Sequence, residues 1–431
     1  METPRGGSGG LLSAVFASED ETPRFQMPER KINVPLENAL PTAGASAPLG
    51  RLFSNGMRIA ILTDTMDRSA MGTALYTRKL VEGLIPFVER GECVLTLVHS
   101  KTNQNPLYGR AHEMILPAIT VPKLSRLLSE AFFLWRTRND FDIIHYPQES
   151  VYPLFWLSHA KTILTVHSHI EGWKNWGLKV RYNMVYVTLH FFSRHIAAIF
   201  CEADTVKKSI LRISPVSEKK IHIIPLGVSD SFRRAPAKEA AKARMKERYG
   251  IPSPYILDPA RVDPHKNIYR LIEAYALLKE THHFPHTLVV GAKHSPEENI
   301  RVERLIREKG LTESVVFMPY IEDEDMPALY AGADVMAYPS LHEGFGLPIL
   351  ESMAAGTPVV TSNIFSMPEV SGGAALLVNP EDTGEIASAL WKILSDSSLR
   401  HELTEKGKQH AAQYSWENMA REVLRWYKEV L

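Results

Sequence analysis

Residues 339–358 place two carboxylates, Glu343 and Glu351, around a Gly-Phe-Gly turn. Residues 333–339 are typical of a buried strand, and Pro348 suits the first turn of a helix. Three consecutive residues form the turn: Gly344, Phe345 and Gly346. Their backbone N–H groups would converge at a helix N-terminus, which can hold an anion. We therefore predict a site for a molecule that carries both hydroxyls and phosphates, such as a nucleotide sugar.

This run resembles the Glu-x7-Glu motif of the retaining GT-B glycosyltransferases of family 4 (glycosyl transferases group 1), bacterial mannosyl- and glucosyltransferases in particular. The resemblance covers residue 57 onward and is densest over 255–415. It implies that Glu351 binds the ribose hydroxyls of the nucleotide and that Glu343 binds hydroxyls of the transferred sugar. The turn and Leu347, which follows it, complete the predicted donor-binding set on this side.

A pair of cations, Arg261 and Lys266, lies in a run that resembles the family's turn after the first strand of the donor domain. Breaking the sugar–phosphate bond leaves a nucleoside diphosphate whose negative charge grows in the transition state. Fixed Arg and Lys groups stabilise that charge, and one well-placed donor is worth roughly 3–4 kcal/mol. Ala260 replaces the glycine that is usual before the Arg, which predicts a loop with less conformational freedom.

Further site residues are implied at the ends of other predicted strands. His167 matches the family's strand-end histidine, which touches the donor sugar and phosphate. Gly72 keeps one glycine of a Gly-rich loop, with Met71 and Ala74 at neighbouring glycine positions. Gly291 resembles a close-approach glycine near the nucleotide base. His167 completes the predicted catalytic set with Glu343, Arg261 and Lys266.

No metal or other cofactor is predicted. Asp140 and Asp142 have Asp-x-Asp spacing but lead directly into an apolar strand. Residues 322–325 are interpreted as acidic residues at a helix start, which the helix dipole favours, and Glu202 as a helix-entry residue. Arg261 and Lys266 are therefore expected to do the work of a metal cation.

The elements that would position these residues alternate strand and helix, the pattern of parallel sheets covered on both faces. Predicted strands of the first series are 58–63, 93–98, 141–145, 161–166, 196–200 and 221–225. Those of the second are 255–257, 287–290, 314–317, 335–338, 358–361 and 375–378. We predict an α/β GT-B fold of two doubly wound Rossmann-like domains that face each other across a cleft, with ligands at the carboxyl ends of the strands.

The predicted domain organisation has five parts: a disordered leader over 1–56, an acceptor domain over 57–235, a linker helix over 236–253, a donor domain over 254–415, and a terminal helix over 416–431 that resembles the segment crossing back to the first domain in GT-B enzymes. A chain of 431 residues exceeds the usual size of one hydrophobic core.

Composition narrows the partners and the compartment. Lys plus Arg and Asp plus Glu both total 49, so no electrostatic footprint for nucleic acid is present. The two cysteines, Cys93 and Cys201, favour a reducing compartment. The longest apolar run, 184–203, is interrupted by charged and histidine side chains and is interpreted as a buried amphipathic helix. We expect a cytoplasmic protein, with peripheral contact at the membrane face left open.

The predicted reaction moves a hexose from a nucleoside diphosphate sugar, of the GDP-mannose or UDP-glucose type, to a hydroxyl with retention of configuration. No nucleophile is evident, which favours front-face departure and attack, and domain closure would exclude water. A nucleotide-sugar epimerase and a non-catalytic sugar-nucleotide binder are alternatives. The Glu-x7-Glu run disfavours the first, and the complete charged set disfavours the second.

The acceptor is expected to be a saccharide, a lipid-linked sugar or a small molecule, and the oligomeric state is not predicted. Two basic, aromatic segments, 124–138 and 173–182, suit contact with anionic lipid. Core-facing helices with snorkelling bases are an equally good interpretation.

Overall fold

The computed structural model describes residues 56–66, 72–100, 105–117, 125–149, 151–168, 176–291 and 296–431, with the side chains of 176–183 left aside. Most of the predicted leader, Met71, and the side chains of the aromatic segment 173–182 lie outside the described residues.

The first sheet has seven parallel strands in the order β3-β2-β1-β4-β5-β6-β7. Its strands are β1 Met57–Leu62, β2 Cys93–His99, β3 His112–Ile115, β4 Ile143–Tyr146, β5 Lys161–Val166, β6 Ile196–Cys201 and β7 Ile221–Ile223. The interior strands are buried on both faces, since Ile59, Ala60 and Ile61 are all completely inaccessible. That continuous burial is why their sequences are apolar runs without alternation.

The second sheet has six parallel strands in the order β10-β9-β8-β11-β12-β13. Its strands are β8 Tyr255–Asp258, β9 Thr287–Val290, β10 Val315–Phe317, β11 Val335–Tyr338, β12 Val359–Ser362 and β13 Leu376–Val378. The chain order reverses between β8 and β11, so the carboxyl ends of these two strands flank a switch point, where ligands bind in such sheets.

Helices connect the strands and cover the sheets. In the first half they are α1 Gly72–Glu89, α2 Ser125–Arg136, α3 Trp176–Phe191, α4 Asp204–Ile213 and α5 Asp230–Arg233. In the second half they are α6 Lys238–Tyr249, α7 Ile268–Thr281, α8 Pro296–Glu308, α9 Met326–Gly332, α10 Leu347–Ala354, α11 Met367–Ser371, α12 Thr383–Ser395, α13 Ser397–Ala411 and α14 Trp416–Val430. The fold is therefore the predicted pair of Rossmann-like domains in a GT-B arrangement.

Two local predictions differ from the structure. The edge strand β3 was not predicted, because three of its four residues are exposed and leave no buried apolar run. The prediction of one buried amphipathic helix over 184–203 is wrong. The helix α3 ends at Phe191, and after a short 3-10 turn the chain enters strand β6 at Ile196.

The last helix, α14, packs against the first domain. Its buried residues recur at helical spacing, and a β-carbon built on Gly83 of α1 would lie 2.4 Å from the Cβ atom of Ala420. Lys428 forms an ion pair with Glu92 at 2.9 Å. The hydrophobic stripe of α14 therefore belongs to the core beneath the first sheet.

The chain passes between the domains twice, near residue 228 and near residue 415, and these two segments touch each other. A β-carbon on Gly227 would lie 2.0 Å from the backbone nitrogen of Trp416, and the amide of Val228 donates to the carbonyl of Tyr414 at 3.3 Å. Arg233 also donates to the carbonyl of Ala411 at 3.2 Å. The domains are thus joined by a paired linkage. In the part of the chain that the structure describes, no helix combines the length and apolarity needed to cross a membrane.

Candidate functional site

The Gly-Phe-Gly turn opens helix α10, as predicted. Gly346 is the residue before the helix and has a φ of 97°, a conformation that glycine adopts without strain. The Ser366 hydroxyl lies 3.1 Å from the carbonyl oxygen of Glu343 and 2.9 Å from that of Phe345. The Phe345 side chain is only 5% exposed, so this residue can offer a ligand its amide alone. Among the described residues, the amides of the turn have no hydrogen-bond acceptor, and they remain available to an anion.

Lys266 and Glu343 are brought together by the second sheet, 77 positions apart in the chain. The Lys266 ammonium donates to Glu343 Oε1 at 2.7 Å and to the Tyr338 hydroxyl at 3.1 Å. Burial favours the neutral form of Glu343, but the Lys266 charge together with hydrogen bonds from Lys266, Tyr338 and Ser340 outweighs it and holds the pKa of Glu343 below its usual value. The carboxylate is therefore ionised and paired.

Asn267 positions this lysine. It has a φ of 64°, and its side-chain amide donates to the carbonyls of Pro339 at 2.9 Å and Pro380 at 2.7 Å. Asparagine tolerates the left-handed region better than other residues with a Cβ atom. The loop that carries Lys266 is thereby tied to the end of β11.

Glu351 lies in α10 with one carboxylate oxygen 2.9 Å from the Tyr330 hydroxyl. Burial raises the pKa of Glu351 to about 7, and the hydrogen bond from Tyr330 offsets only part of that rise. The pKa values of the two glutamates thus move in opposite directions, because only Glu343 has a cation beside it.

Asp258 is a buried carboxyl at the end of β8 that was not among the predicted site residues. Its Oδ1 atom accepts from the Ala260 amide at 3.0 Å. Burial raises the pKa of Asp258 to about 7, while Lys266 opposes that rise. Its position at the carboxyl end of a central strand was the signal that could have identified it.

The remaining predicted site residues lie in loops or at the first position of a helix. Arg261 is exposed and forms no ion pair within the described part of the chain. A β-carbon on Gly291 would lie 1.7 Å from the Ala260 carbonyl oxygen, so this glycine is required by backbone packing, whatever its contact with a base. Gly72 is the first residue of α1, with open space around its α-carbon. Leu347 is the first residue of α10.

His167 follows β5 on the first sheet and is held by hydrogen bonds on both ring nitrogens. Its Nδ1 atom lies 2.5 Å from Glu202 Oε1, and its Nε2 atom lies 3.0 Å from the carbonyl oxygen of Pro147. Burial alone would lower the pKa of His167, but the charge of Glu202 and their hydrogen bond raise it to about 9. Glu202 precedes α4, so its interpretation as a helix-entry residue missed its main contact.

The two sides of the site meet at Gly344. A β-carbon on this glycine would lie 1.7 Å from the His167 carbonyl oxygen and 3.2 Å from the α-carbon of Ser168. The donor turn therefore touches the end of β5 through backbone atoms. A second contact lies nearby, where both carboxylate oxygens of Glu369 are 3.0 Å from the Asp204 amide.

A buried series of hydrogen bonds runs from Tyr427 of α14 to Tyr76, whose ring contacts His167. The Tyr427 hydroxyl lies 2.5 Å from His145 Nδ1, and His145 Nε2 lies 2.8 Å from Thr165 Oγ1. Thr165 is in turn 3.0 Å from the Tyr76 hydroxyl, and the Tyr76 ring packs edge-on against the His167 ring at 4.7 Å. Burial lowers the pKa of His145 to about 3, so this imidazole is neutral. None of the residues that support His167 was predicted.

Metal-ligating side chains do not cluster in the described residues, where no group of three or more His, Cys, Asp or Glu is arranged to hold an ion.

Family models match both halves of the chain. The model described as glycosyl transferases group 1 matches residues 242–410, and the model described as Glycosyltransferase Family 4 matches residues 86–232. The chain belongs to glycosyltransferase family 4. The predicted family and the predicted class of enzyme, a hexosyltransferase, are confirmed.

Relatives of this transferase include bacterial mannosyltransferases. It is 28% identical over 386 residues to O-antigen chain mannosyltransferase B of Escherichia coli, covering 86% of this chain and 100% of that protein. It is 28% identical over 312 residues to the MMP alpha-(1->4)-mannosyltransferase of Mycolicibacterium hassiacum, covering 68% and 72%. With the serotype-specific mannosyltransferase WbdA of Escherichia coli the identity is 32% over 235 residues, which span 54% of this chain and only 29% of WbdA.

Solved structures share the fold of this transferase. Sucrose-phosphate synthase from Thermosynechococcus elongatus superposes with a TM-score of 0.68 at 22% identity, covering 87% of this chain and 99% of that one. HepE from Anabaena, in complex with UDP and glucose, superposes with a TM-score of 0.69 at 16% identity, covering 86% and 100%. At these identities the likeness establishes the GT-B fold.

Proposed function

We propose that this transferase moves a hexose from a nucleoside diphosphate sugar to a hydroxyl of a saccharide or lipid-linked acceptor, with retention of anomeric configuration and without a metal. One observation carries the proposal. The Lys266–Glu343 pair adjoins the turn before α10, whose three amides have no acceptor within the described part of the chain, and the same turn touches His167 of the first domain. Groups that could bind a phosphate, groups that could bind sugar hydroxyls, and the contact between the two domains thus lie at one turn.

The ion pair supplies both functions that the donor needs. Without a donor, Lys266 neutralises Glu343 at 2.7 Å. A bound diphosphate would draw the ammonium to its oxygens, which frees the ionised Glu343 to accept from sugar hydroxyls. Arg261, exposed and without an ion pair among the described residues, would add a second cation to the departing diphosphate.

His167 would contribute a positive charge, not a hydrogen bond, from the opposite wall, because both of its ring nitrogens are bonded within the protein. Its proton on Nδ1 is directed to Glu202, and its ring is held in place by Tyr76 and Pro147. A cation fixed in this way stabilises negative charge on the leaving group without reorganising during the reaction. Glu351, with a pKa of about 7, would accept from the ribose hydroxyls in its ionised form.

The donor and the stereochemistry are tested in sequence. The wild-type protein is screened against GDP-mannose and UDP-glucose by thermal shift, and each nucleotide sugar that binds is tried for transfer to a mannobiose. Proton NMR of the product then reports the configuration of the new linkage. Transfer with retention in the presence of EDTA supports the proposal. An inverted linkage or a requirement for added metal contradicts the corresponding part, and binding without transfer favours the non-catalytic alternative.

Contact with anionic lipid is proposed for one face of α2. This helix buries Phe133 and Leu134, while Phe132 is 45% and Trp135 is 57% exposed. The rings of Phe132 and Trp135 lie 6.2 Å apart, so they form one aromatic surface. Arg136 is exposed beside it, at the end of the helix. Aromatic side chains flanked by bases suit the interface of an anionic bilayer.

Vesicle pelleting tests this surface. The protein is expected to pellet with phosphatidylglycerol vesicles and to remain in solution with phosphatidylcholine vesicles. A Phe132→Ser, Trp135→Ser variant should lose pelleting, whereas Ile300→Ser, which changes another exposed apolar residue on α8, should not. Wild-type protein that stays in solution with both vesicles removes the membrane proposal.

A further inference from the structure

The loop that follows β12 holds an aromatic side chain in an unusual backbone conformation. Phe365 has a φ of 54°, and its residue is 39% exposed. Bulky residues rarely occupy the left-handed region, because the Cβ atom crowds the neighbouring carbonyl. Such strain persists where the surroundings enforce it, and it is concentrated at sites that bind ligands.

The surroundings of Phe365 are set by the donor turn. The next residue, Ser366, hydrogen-bonds to the carbonyls of Glu343 and Phe345, at 3.1 and 2.9 Å. The loop therefore packs against the backbone of the turn, at the residue that carries the predicted sugar-binding carboxylate. Removing the ring would not remove this attachment, because it depends on Ser366.

The same loop lies between two contacts with the first domain. On one side is the packing of Gly344 against the His167 carbonyl, and on the other is the hydrogen bond from the Asp204 amide to Glu369. Phe365 is four residues before Glu369 in the chain and is attached to the Gly344 turn through Ser366. It therefore lies in a segment that is anchored to the first domain's neighbourhood on both sides.

The ring of His342 accompanies that of Phe365. Their centroids are 4.8 Å apart with an interplanar angle of 59°, and His342 immediately precedes Glu343. An aromatic surface next to a paired carboxylate and ammonium combines an apolar plane with groups that bind hydroxyls. A pyranose ring has the matching chemistry, since its C–H face is apolar and its edge carries hydroxyls.

We propose that Phe365, with His342 beside it, is a stacking platform for a pyranose ring in the cleft. This inference rests on the proposed function and adds a sugar-binding residue to it. The pyranose is either the transferred hexose of the donor or a residue of the acceptor, and the experiment separates these two sources. Glycine at this position would relieve the backbone strain, but it would also remove the aromatic ring that binds the sugar in this proposal.

Three variants test the platform. Phe365→Gly removes both the ring and the backbone strain, Phe365→Tyr keeps the ring, and Ile300→Ala shortens an exposed apolar residue on α8. Affinities for GDP-mannose, UDP-glucose, GDP and UDP are measured by titration, and the KM for a mannobiose acceptor is measured with the donor that the wild type uses. Tm is recorded for each variant.

The expected result is a loss of sugar binding without a loss of stability. In Phe365→Gly, either the Kd for the nucleotide sugar rises about tenfold with that for the bare nucleotide unchanged, or the KM for mannobiose rises about tenfold. The first outcome assigns the platform to the transferred hexose and the second to the acceptor. Phe365→Tyr and Ile300→Ala should stay within about twofold of the wild type, and the Tm of Phe365→Gly should not fall.

Other outcomes overturn the platform. They are an unchanged affinity for every sugar in Phe365→Gly, an equal loss of nucleotide and nucleotide-sugar binding together with a lower Tm, and a Phe365→Tyr variant as impaired as Phe365→Gly. If the wild type binds no nucleotide sugar, the proposed function fails separately. The platform is then judged by titration with mannobiose alone, and wild-type protein that does not bind mannobiose overturns it as well.

Discussion

The two walls of the cleft are built in different ways. On the donor wall, Glu343, the turn and Glu351 come from one continuous run, and Lys266 joins them from a neighbouring strand end. On the opposite wall, His167 depends on Glu202 and on a series of contacts that ends at Tyr427. A local motif therefore carries the first wall, while long-range packing carries the second. Substitutions on the first wall should act by removing a charge, whereas substitutions on the second wall should act by displacing His167.

Lys266→Ala is expected to cause the largest loss. It removes the cation that would stabilise the departing diphosphate, so kcat should fall about 10²–10³-fold. Lys279→Ala, on α7 and packed over the ring of Phe284, should leave kcat unchanged. Steady-state transfer assays with saturating donor measure both. A Lys266→Ala enzyme with wild-type turnover would exclude a role for this charge in the reaction.

Gly344→Ala tests the point at which the walls meet. The new β-carbon would lie 1.7 Å from the His167 carbonyl oxygen, so the turn must move away from β5. A displacement of about 1 Å costs on the order of 10²-fold in rate, and we expect kcat to fall by about that factor. Gly109→Ala, where the added carbon has open space, is the matched control. Equal activity of the two variants would mean that this contact is unimportant for turnover.

Glu202→Gln tests the electrostatics of the second wall through pH. Because the folded pKa of His167 is raised to about 9 from an ordinary 6.5, the stabilisation from its ion pair is complete below pH 6.5 and is lost as pH rises through 9. Removing the Glu202 charge takes away the largest contribution that raises the pKa of His167, while burial continues to lower it. The basic limb of the kcat/KM profile should move by about two pH units or more to lower pH. A profile identical to that of the wild type would contradict the role of protonated His167.

Tyr427→Phe is expected to have the smallest effect on rate. It leaves the buried Nδ1 atom of neutral His145 without its partner, which costs about 1–3 kcal/mol of unfolding free energy. We expect kcat to fall a few-fold with little change in donor KM, because His167 is displaced only slightly. Tyr275→Phe removes another buried hydroxyl, one that donates to the His286 carbonyl, and should lower stability alone. Denaturant unfolding and steady-state kinetics of both variants separate alignment from stability.

The sequence predicted the local structure of residues 339–358 well, because the determinants of the turn and of α10 are close together in the chain. Apolar runs located every interior strand, and the Glu-x7-Glu run located α10 and its turn. The support for His167 was missed, since Tyr427 is 282 positions from His145 and only folding brings them together. The strain at Phe365 was also invisible, because nothing in the residue types around it indicates a φ of 54°.

Misses on the first domain have a common physical cause. The edge strand β3 has too few buried side chains to produce a pattern. Glu202 is a residue type that is common at the start of a helix. Its contact, however, is with His167, which follows the neighbouring strand β5. Local propensity describes neighbours in the chain, whereas both features are decided by neighbours across the sheet.

Helix α14 also bears on how the protein is made. Its buried residues pack beneath the first sheet, and Tyr427 hydrogen-bonds to a histidine of β4. During synthesis the first sheet emerges early, but α14, one of the helices that cover it, is translated after the whole second domain. The first domain therefore completes its core late, with an apolar surface on α1 uncovered until then. A chain that ends after residue 415 should have a second domain in near-native form and a first domain that is protease-sensitive around α1.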